Sequence, residues 1–174
     1  MKNNVAIVVT LCILILANLP GKTVAGKIDD FTLKDLNNKR VSFSDLQGEN
    51  LTIIDFWATW CKPCARAIPE LITLYEDYKN QSVQVVGICV DSPRNLAKVK
   101  PFVNSMGITY PILLDSNSEL MSELQVTALP TILIVDNQNE IVLIHRGYKP
   151  GDEIFLREEI DKLLVDKSAE SEDE

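Results

Sequence analysis

A chain of 174 residues, 46% of them apolar, can bury one good core but is too short for two ordinary domains. Its 25 acidic against 17 basic side chains give a net charge of −8, which speaks against nucleic acid as a partner. With four cysteines and one histidine, the Cys61 and Cys64 pair finds only Cys12, Cys89 and His145 elsewhere, in three unrelated contexts. That is not the four-ligand set of a structural zinc site, so no metal is expected.

Met1 and Lys2 give a positive start, residues 5–19 form a nearly unbroken apolar run, and Thr23, Val24 and Ala25 offer small residues for cleavage. Residues 1–25 therefore read as a signal peptide. The run is shorter than the roughly 20 residues of a bilayer-spanning helix, and an uncleaved N-terminal anchor is the alternative. Cys12 within it is a passive hydrophobe. Cleavage after Ala25 removes Lys2 and Lys22 but no acid, moving the net charge from −8 to −10. Export places the remaining thiols in the periplasm or cell envelope, where disulfides persist.

Residues 26–165 read as the folded domain. Residues 31–33 and 41–43 suggest a short strand pair around the polar turn 35–39, followed by a turn at 44–48. Residues 51–57 form an apolar strand of the kind buried on both faces. Ile68, Leu71, Ile72, Tyr75 and Tyr78 recur at helical spacing, predicting a helix over 62–79 that Pro69 should bend. A second buried strand is expected at 83–90, a helix around Val99, Phe102, Val103 and Met106, and a short strand at 111–114. The alternation of strand and helix implies parallel pairing. Residues 131–135 and 141–145 flank a polar 136–139 turn and read as a hairpin; Ile154, Leu156, Ile160, Leu163 and Leu164 mark a closing helix. Residues 166–174, with five acids and one lysine, read as a disordered acidic tail.

The chemistry sits where the first buried strand ends on Trp60, Cys61, Lys62, Pro63 and Cys64. A thiol at a helix start is easily ionised, because the free N–H groups and dipole of the helix stabilise the thiolate that attacks disulfides. Two intervening residues let Cys64 close a disulfide with Cys61 and so resolve a mixed disulfide. A permanent structural bridge is the alternative, but so small a loop gains little chain entropy. Lys62 adds positive charge beside Cys61, and Pro63 suits a first helical turn. Cys89, within an apolar run, is expected to be inert, and His145 to be a surface or packing residue.

The Phe-Trp-Ala-x-Trp-Cys-x-x-Cys string, Pro69 and the segment Ala128, Leu129, Pro130 and Thr131 resemble the thioredoxin superfamily, and more narrowly its exported TlpA/ResA-like thiol-disulfide oxidoreductases. The resemblance covers roughly residues 27–165. It implies an α/β, thioredoxin-like three-layer fold: a central mixed sheet with helices on both faces, an N-terminal strand pair and an inserted helix-strand segment. It also implies a cis peptide bond before Pro130, with Leu129 docking the substrate chain as an added strand. Trp60 is expected to line the docking surface, and Gly147 to leave room near the disulfide, with a plain turn glycine as the alternative.

Asp55 matches the buried acid of thioredoxins, where it serves as a proton carrier for the second cysteine; a buried acid that simply satisfies its own hydrogen bonds is the equal alternative. Two departures from the family stand out. Gly87 occupies a position where thioredoxins carry a lysine, and Ala67 one where some exported relatives carry a glutamate. The implied activity is cofactor-free reduction of protein disulfides, apocytochrome c among them, recharged by a membrane thiol-electron donor. A peroxiredoxin-like peroxidase is one alternative, although Ala58 stands where those enzymes place a threonine. A metallochaperone on the same fold is the other, although its relatives space their cysteines one residue further apart.

Overall fold

The computed structural model describes residues 26–172, with side chains as far as residue 167; the signal-peptide expectation lies outside the described residues. Seven strands form its sheet: β1 (Thr32–Asp35), β2 (Arg40–Ser42), β3 (Leu51–Trp57), β4 (Val83–Cys89), β5 (Ile112–Leu114), β6 (Thr131–Asp136) and β7 (Ile141–Arg146). Four α-helices join them: α1 (Lys62–Tyr78), α2 (Leu96–Met106), α3 (Glu119–Glu123) and α4 (Asp152–Glu172). The strand order is β2-β1-β5-β4-β3-β6-β7.

β3 is buried at every position, as its apolar run requires, and lies between β4 (parallel) and β6 (antiparallel). β4 and β5 are also parallel, so the β3-α1-β4-α2-β5 run is two successive crossovers in one direction. Crossovers of the usual right-handed kind put both helices on one face. That face carries Asp55 and Trp57: Phe102 of α2 stacks on Trp57 with ring centroids 5.4 Å apart. α4 joins α1 there through Arg157 to Asp77 (2.7 Å) and the Tyr78 hydroxyl donating to Asp161 (2.6 Å). The connection from β5 back to β6 must cross β4 and β3, and with the first face filled it carries α3 over the other one. The mixed sheet with helices on both faces is thus the expected thioredoxin-like arrangement.

Several expectations shift in detail. The first strand begins at Thr32 rather than 31 and runs on to Asp35, and Phe43 opens a 3-10 turn (Phe43–Asp45), where it is fully buried and stacks on Phe31. α1 continues through Pro69 as one helix. α3 was not expected. Ile154 does not share the buried stripe of α4, being 59% exposed while Leu156 and Ile160 are buried. At about 100° per residue, Ile154 and Leu156 point to nearly opposite sides of the helix.

The acidic segment from Asp166, expected to be disordered, instead continues α4 to Glu172. Nothing between Asp166 and Glu172 is a Gly or Pro that would stop the helix, and the Lys167 ammonium anchors it to the Asn50 carbonyl (2.7 Å) and Asn137 (2.6 Å). Among the described residues, no helix is long and apolar enough to cross a membrane.

Candidate active site

Cys61 and Cys64 are joined as a disulfide at the N-terminus of α1, with their Cα atoms 5.3 Å apart. Cys61 is the N-cap in extended conformation, and its sulfur accepts a hydrogen bond from the Cys64 N–H at 3.2 Å. A sulfur in that place receives one of the unpaired N–H groups of the first turn, the contact that favours a thiolate once the bridge is reduced. Pro63 sits in that turn, where its missing N–H costs nothing. Both cysteines are buried, Cys61 with 5% of its surface exposed and Cys64 with 1%, so the first is the more accessible.

Cys61 opens into a groove of about 420 Å³ shared with Trp60, Lys62, Pro63, Val90 and Leu129, and lined also by Ser118 and Met121 of the α3 region. Trp60 is 62% exposed, a large apolar side chain held in water beside the reactive sulfur. The Leu129–Pro130 peptide bond is cis, as the resemblance implies. Its loop is tied by the Thr131 hydroxyl donating to the Ala128 carbonyl (2.8 Å) and by the Gly147 N–H donating to the Pro130 carbonyl (2.8 Å).

Of the sequence-derived residues, the groove thus gathers Trp60, Cys61 and Leu129, with Pro130 next in chain and Cys64 buried behind. Gly147 is not placed there. It lines a separate small crevice with Ala67, Tyr148 and Leu156, and a Cβ added to it would meet nothing within 4 Å. Room beside the disulfide is therefore not why glycine stands there. Its φ of +83° is the reason, a backbone conformation that side chains with a Cβ rarely adopt.

Asp55 lies behind the groove on β3, fully buried, and burial pushes its carboxyl up to about 7. Its Oδ1 has no hydrogen-bond partner among the described residues. Gly87 is its register neighbour on β4, and a Cβ there would come within 2.6 Å of Ile112 Cδ1 and 3.0 Å of Trp57 Nε1. A lysine there would have to displace Ile112 and crowd the Trp57 and Tyr110 rings. Ala67 is buried against the α4 side of α1. Cys89 is buried, and burial, followed by the nearby acids, lifts its thiol well above the usual range, in keeping with an inert cysteine. His145 bonds Asp152 at 3.0 Å beside the Phe155 ring, a packing role. Among the described residues, no three His, Cys, Asp or Glu side chains are grouped so as to hold a metal ion.

Sequence reasoning missed two buried acids. Asp91 is fully buried and accepts from the Thr59 N–H (2.7 Å), the Thr59 hydroxyl (2.8 Å) and the Cys89 thiol (3.3 Å). It thereby clamps the turn that delivers Cys61. Asp115 accepts from the N–H groups of Glu119, Leu120 and Met121 and so caps α3, the far wall of the groove. The only signal in the sequence was an acid directly after an apolar strand, which is common at strand ends. Asp91→Ala is expected to cost about 2 kcal/mol in urea unfolding, because it removes the acceptor of the half-buried Thr59 donors and of the buried Cys89 thiol.

Comparison with known proteins agrees with this geometry. The AhpC/TSA family matches residues 24–144. The thiol-disulfide oxidoreductase ResA of Geobacillus kaustophilus is 33% identical over 131 residues, 75% of this chain and 74% of that protein. ResA of Bacillus subtilis is 31% identical over 118 residues, 68% of this chain and 64% of that protein's length. Among solved structures, a candidate thiol:disulfide interchange protein DsbE from Chlorobium tepidum superposes with a TM-score of 0.74 at 26% identity, covering 82% of this chain and 98% of its own. StoA from Bacillus subtilis gives 0.61 at 28%, covering 72% and 93%. With a redox-type Cys61–Cys64 disulfide at a helix start, a cis-proline loop and a family match over most of its length, the chain belongs to the thioredoxin-like AhpC/TSA family, alongside the ResA-type thiol-disulfide oxidoreductases.

Proposed function

We propose that the protein is an exported oxidoreductase that reduces disulfides in other proteins. The observation that carries this reading is the single groove into which the Cys61 sulfur, the Trp60 indole and the backbone before Pro130 all open. A polypeptide laid against Leu129 as an added strand presents its disulfide to Cys61. Apocytochrome c is the substrate type that the family resemblance implies, and a membrane thiol-transfer protein the electron donor. Export rests on the pattern of residues 1–25.

In the reduced protein the Cys61 thiolate attacks one sulfur of the substrate disulfide, and the other substrate sulfur leaves as a thiolate. Cys64 then gives its proton to Asp55 and attacks Cys61, which restores the intramolecular bridge and releases the second substrate sulfur. Two electrons and two protons from the donor return the pair to dithiol. Lys62 and the helix terminus favour ionisation at Cys61, whereas a carboxylate at Asp55 opposes a second negative charge nearby. The reduced pair is therefore not over-stabilised as an anion, which supports work in the reducing direction. Equilibration with glutathione buffers is expected to give a potential close to the roughly −270 mV of thioredoxin. A value near the roughly −120 mV of strongly oxidising periplasmic donors would reverse the direction.

A further inference from the structure

Three buried polar atoms lack a hydrogen-bond partner among the described residues: Asp55 Oδ1, Trp57 Nε1 and the Tyr110 hydroxyl. They are not scattered. Asp55 and Trp57 project from one face of β3, two residues apart. Gly87 is the β4 neighbour of Asp55, and a Cβ there would lie 3.0 Å from Trp57 Nε1 and 3.2 Å from Tyr110 Cε2, the ring carbon next to the one bearing the hydroxyl. The absent side chain of Gly87 thus leaves a space beside Asp55 that the indole N–H and the phenol ring border.

Both rings are fixed by packing. Trp57 stacks on Phe102, and Tyr110 meets Tyr75 edge-on with centroids 6.2 Å apart. The backbone next to Tyr110 is pinned by the Gly87 N–H donating to the Pro111 carbonyl at 2.9 Å. A carboxylate that needs donors and two donors that need an acceptor are complementary in kind, and one internal water with three such partners is well satisfied.

We propose that Tyr110, with Trp57, is a positioning residue for Asp55: through one internal water its hydroxyl steadies the carboxylate that takes the Cys64 proton. This rests on the reductase reading above. In the step concerned, the Cys64 proton passes to Asp55 and the Cys64 sulfur bonds to Cys61. The bond from Cys61 to the substrate sulfur breaks, and that sulfur leaves with the electron pair and is protonated by solvent. Asp55 returns its proton to solvent afterwards.

The titratable groups that feel the charge of Asp55 are Tyr110 and Cys89. Around them, α1 brings Cys64, Tyr75 and Glu76, the last already bonded to Thr109 and Lys79. Next along the sheet, β6 brings the apolar Ile132 and β7 brings His145, which is paired with Asp152. Burial, then the nearby Asp55, holds the Tyr110 hydroxyl well above the ordinary phenol range, so it stays a donor at every working pH.

The test is the pH dependence of mixed-disulfide resolution, followed by stopped flow after loading Cys61 of the full chain with glutathione. In Tyr110→Phe the inflection due to Asp55 should move up by about one pH unit, with an about tenfold slower release below it. Against an Asp55→Asn background the same change should have no effect. 3-Fluorotyrosine at position 110 keeps the ring, strengthens the donor and should move the inflection down. Profiles that coincide for tyrosine, fluorotyrosine and phenylalanine, or an equal loss with and without Asp55, overturn the proposal. A wild type that resolves no mixed disulfide overturns the reductase reading and this one with it.

Discussion

Cys61→Ser is expected to abolish disulfide reduction, and Cys64→Ser to stop it half-way with the substrate still attached. Cys64 is 1% exposed and sits behind Cys61, so no partner sulfur reaches it first. A serine hydroxyl at position 61 is not ionised at neutral pH, and the loss should be on the order of 10³-fold or more. Cys64→Ser keeps the attacking thiol at the head of α1 and removes the group that displaces the captured chain. Free-thiol release from a protein disulfide measures the first effect, and non-reducing electrophoresis with mass spectrometry detects the adduct of the second. Comparable turnover by Cys61→Ser would mean that the nucleophile has been assigned to the wrong sulfur.

The second large effect is on stability, and its sign is unusual. In the fold the Asp55 carboxyl is raised to about 7 by burial, against 3.8 ordinarily. Between those values the folded protein holds a proton that the unfolded chain has lost, so stability falls as pH rises through this window. Above about pH 7 the folded state bears a buried charge, at a cost on the order of 4 kcal/mol. Asp55→Asn should therefore stabilise the oxidised protein by a few kcal/mol at pH 8.5 and by little at pH 4. Urea unfolding at the two pH values decides the matter; a difference that does not change with pH would show that the carboxyl ionises normally.

The elements legible in the sequence were those whose pattern is local. The β3 run, the α1 periodicity, the Cys61 and Cys64 spacing and the 136–139 turn each carry their own signal, and the structure places them as expected. α3 is five residues long, too short for a helical period to show, and it is held by Asp115 rather than by an apolar stripe. Asp91 and Tyr110 were illegible for a related reason: their meaning lies in Thr59, 32 residues from Asp91, and in the space over Gly87. Gly147 was legible as a glycine with two possible causes, and the positive φ that favours the turn leaves no mark on composition.

The carboxyl end of β4 fastens two things at once. Asp91, just past that end, grips Thr59 ahead of the reactive sulfur, while the Cys89 carbonyl accepts from the Asp115 N–H, whose side chain caps α3. Both jaws of the cleft are thus hinged on a single post. A substitution that loosens the end of β4 would therefore slacken the Cys61 turn and the α3 wall together.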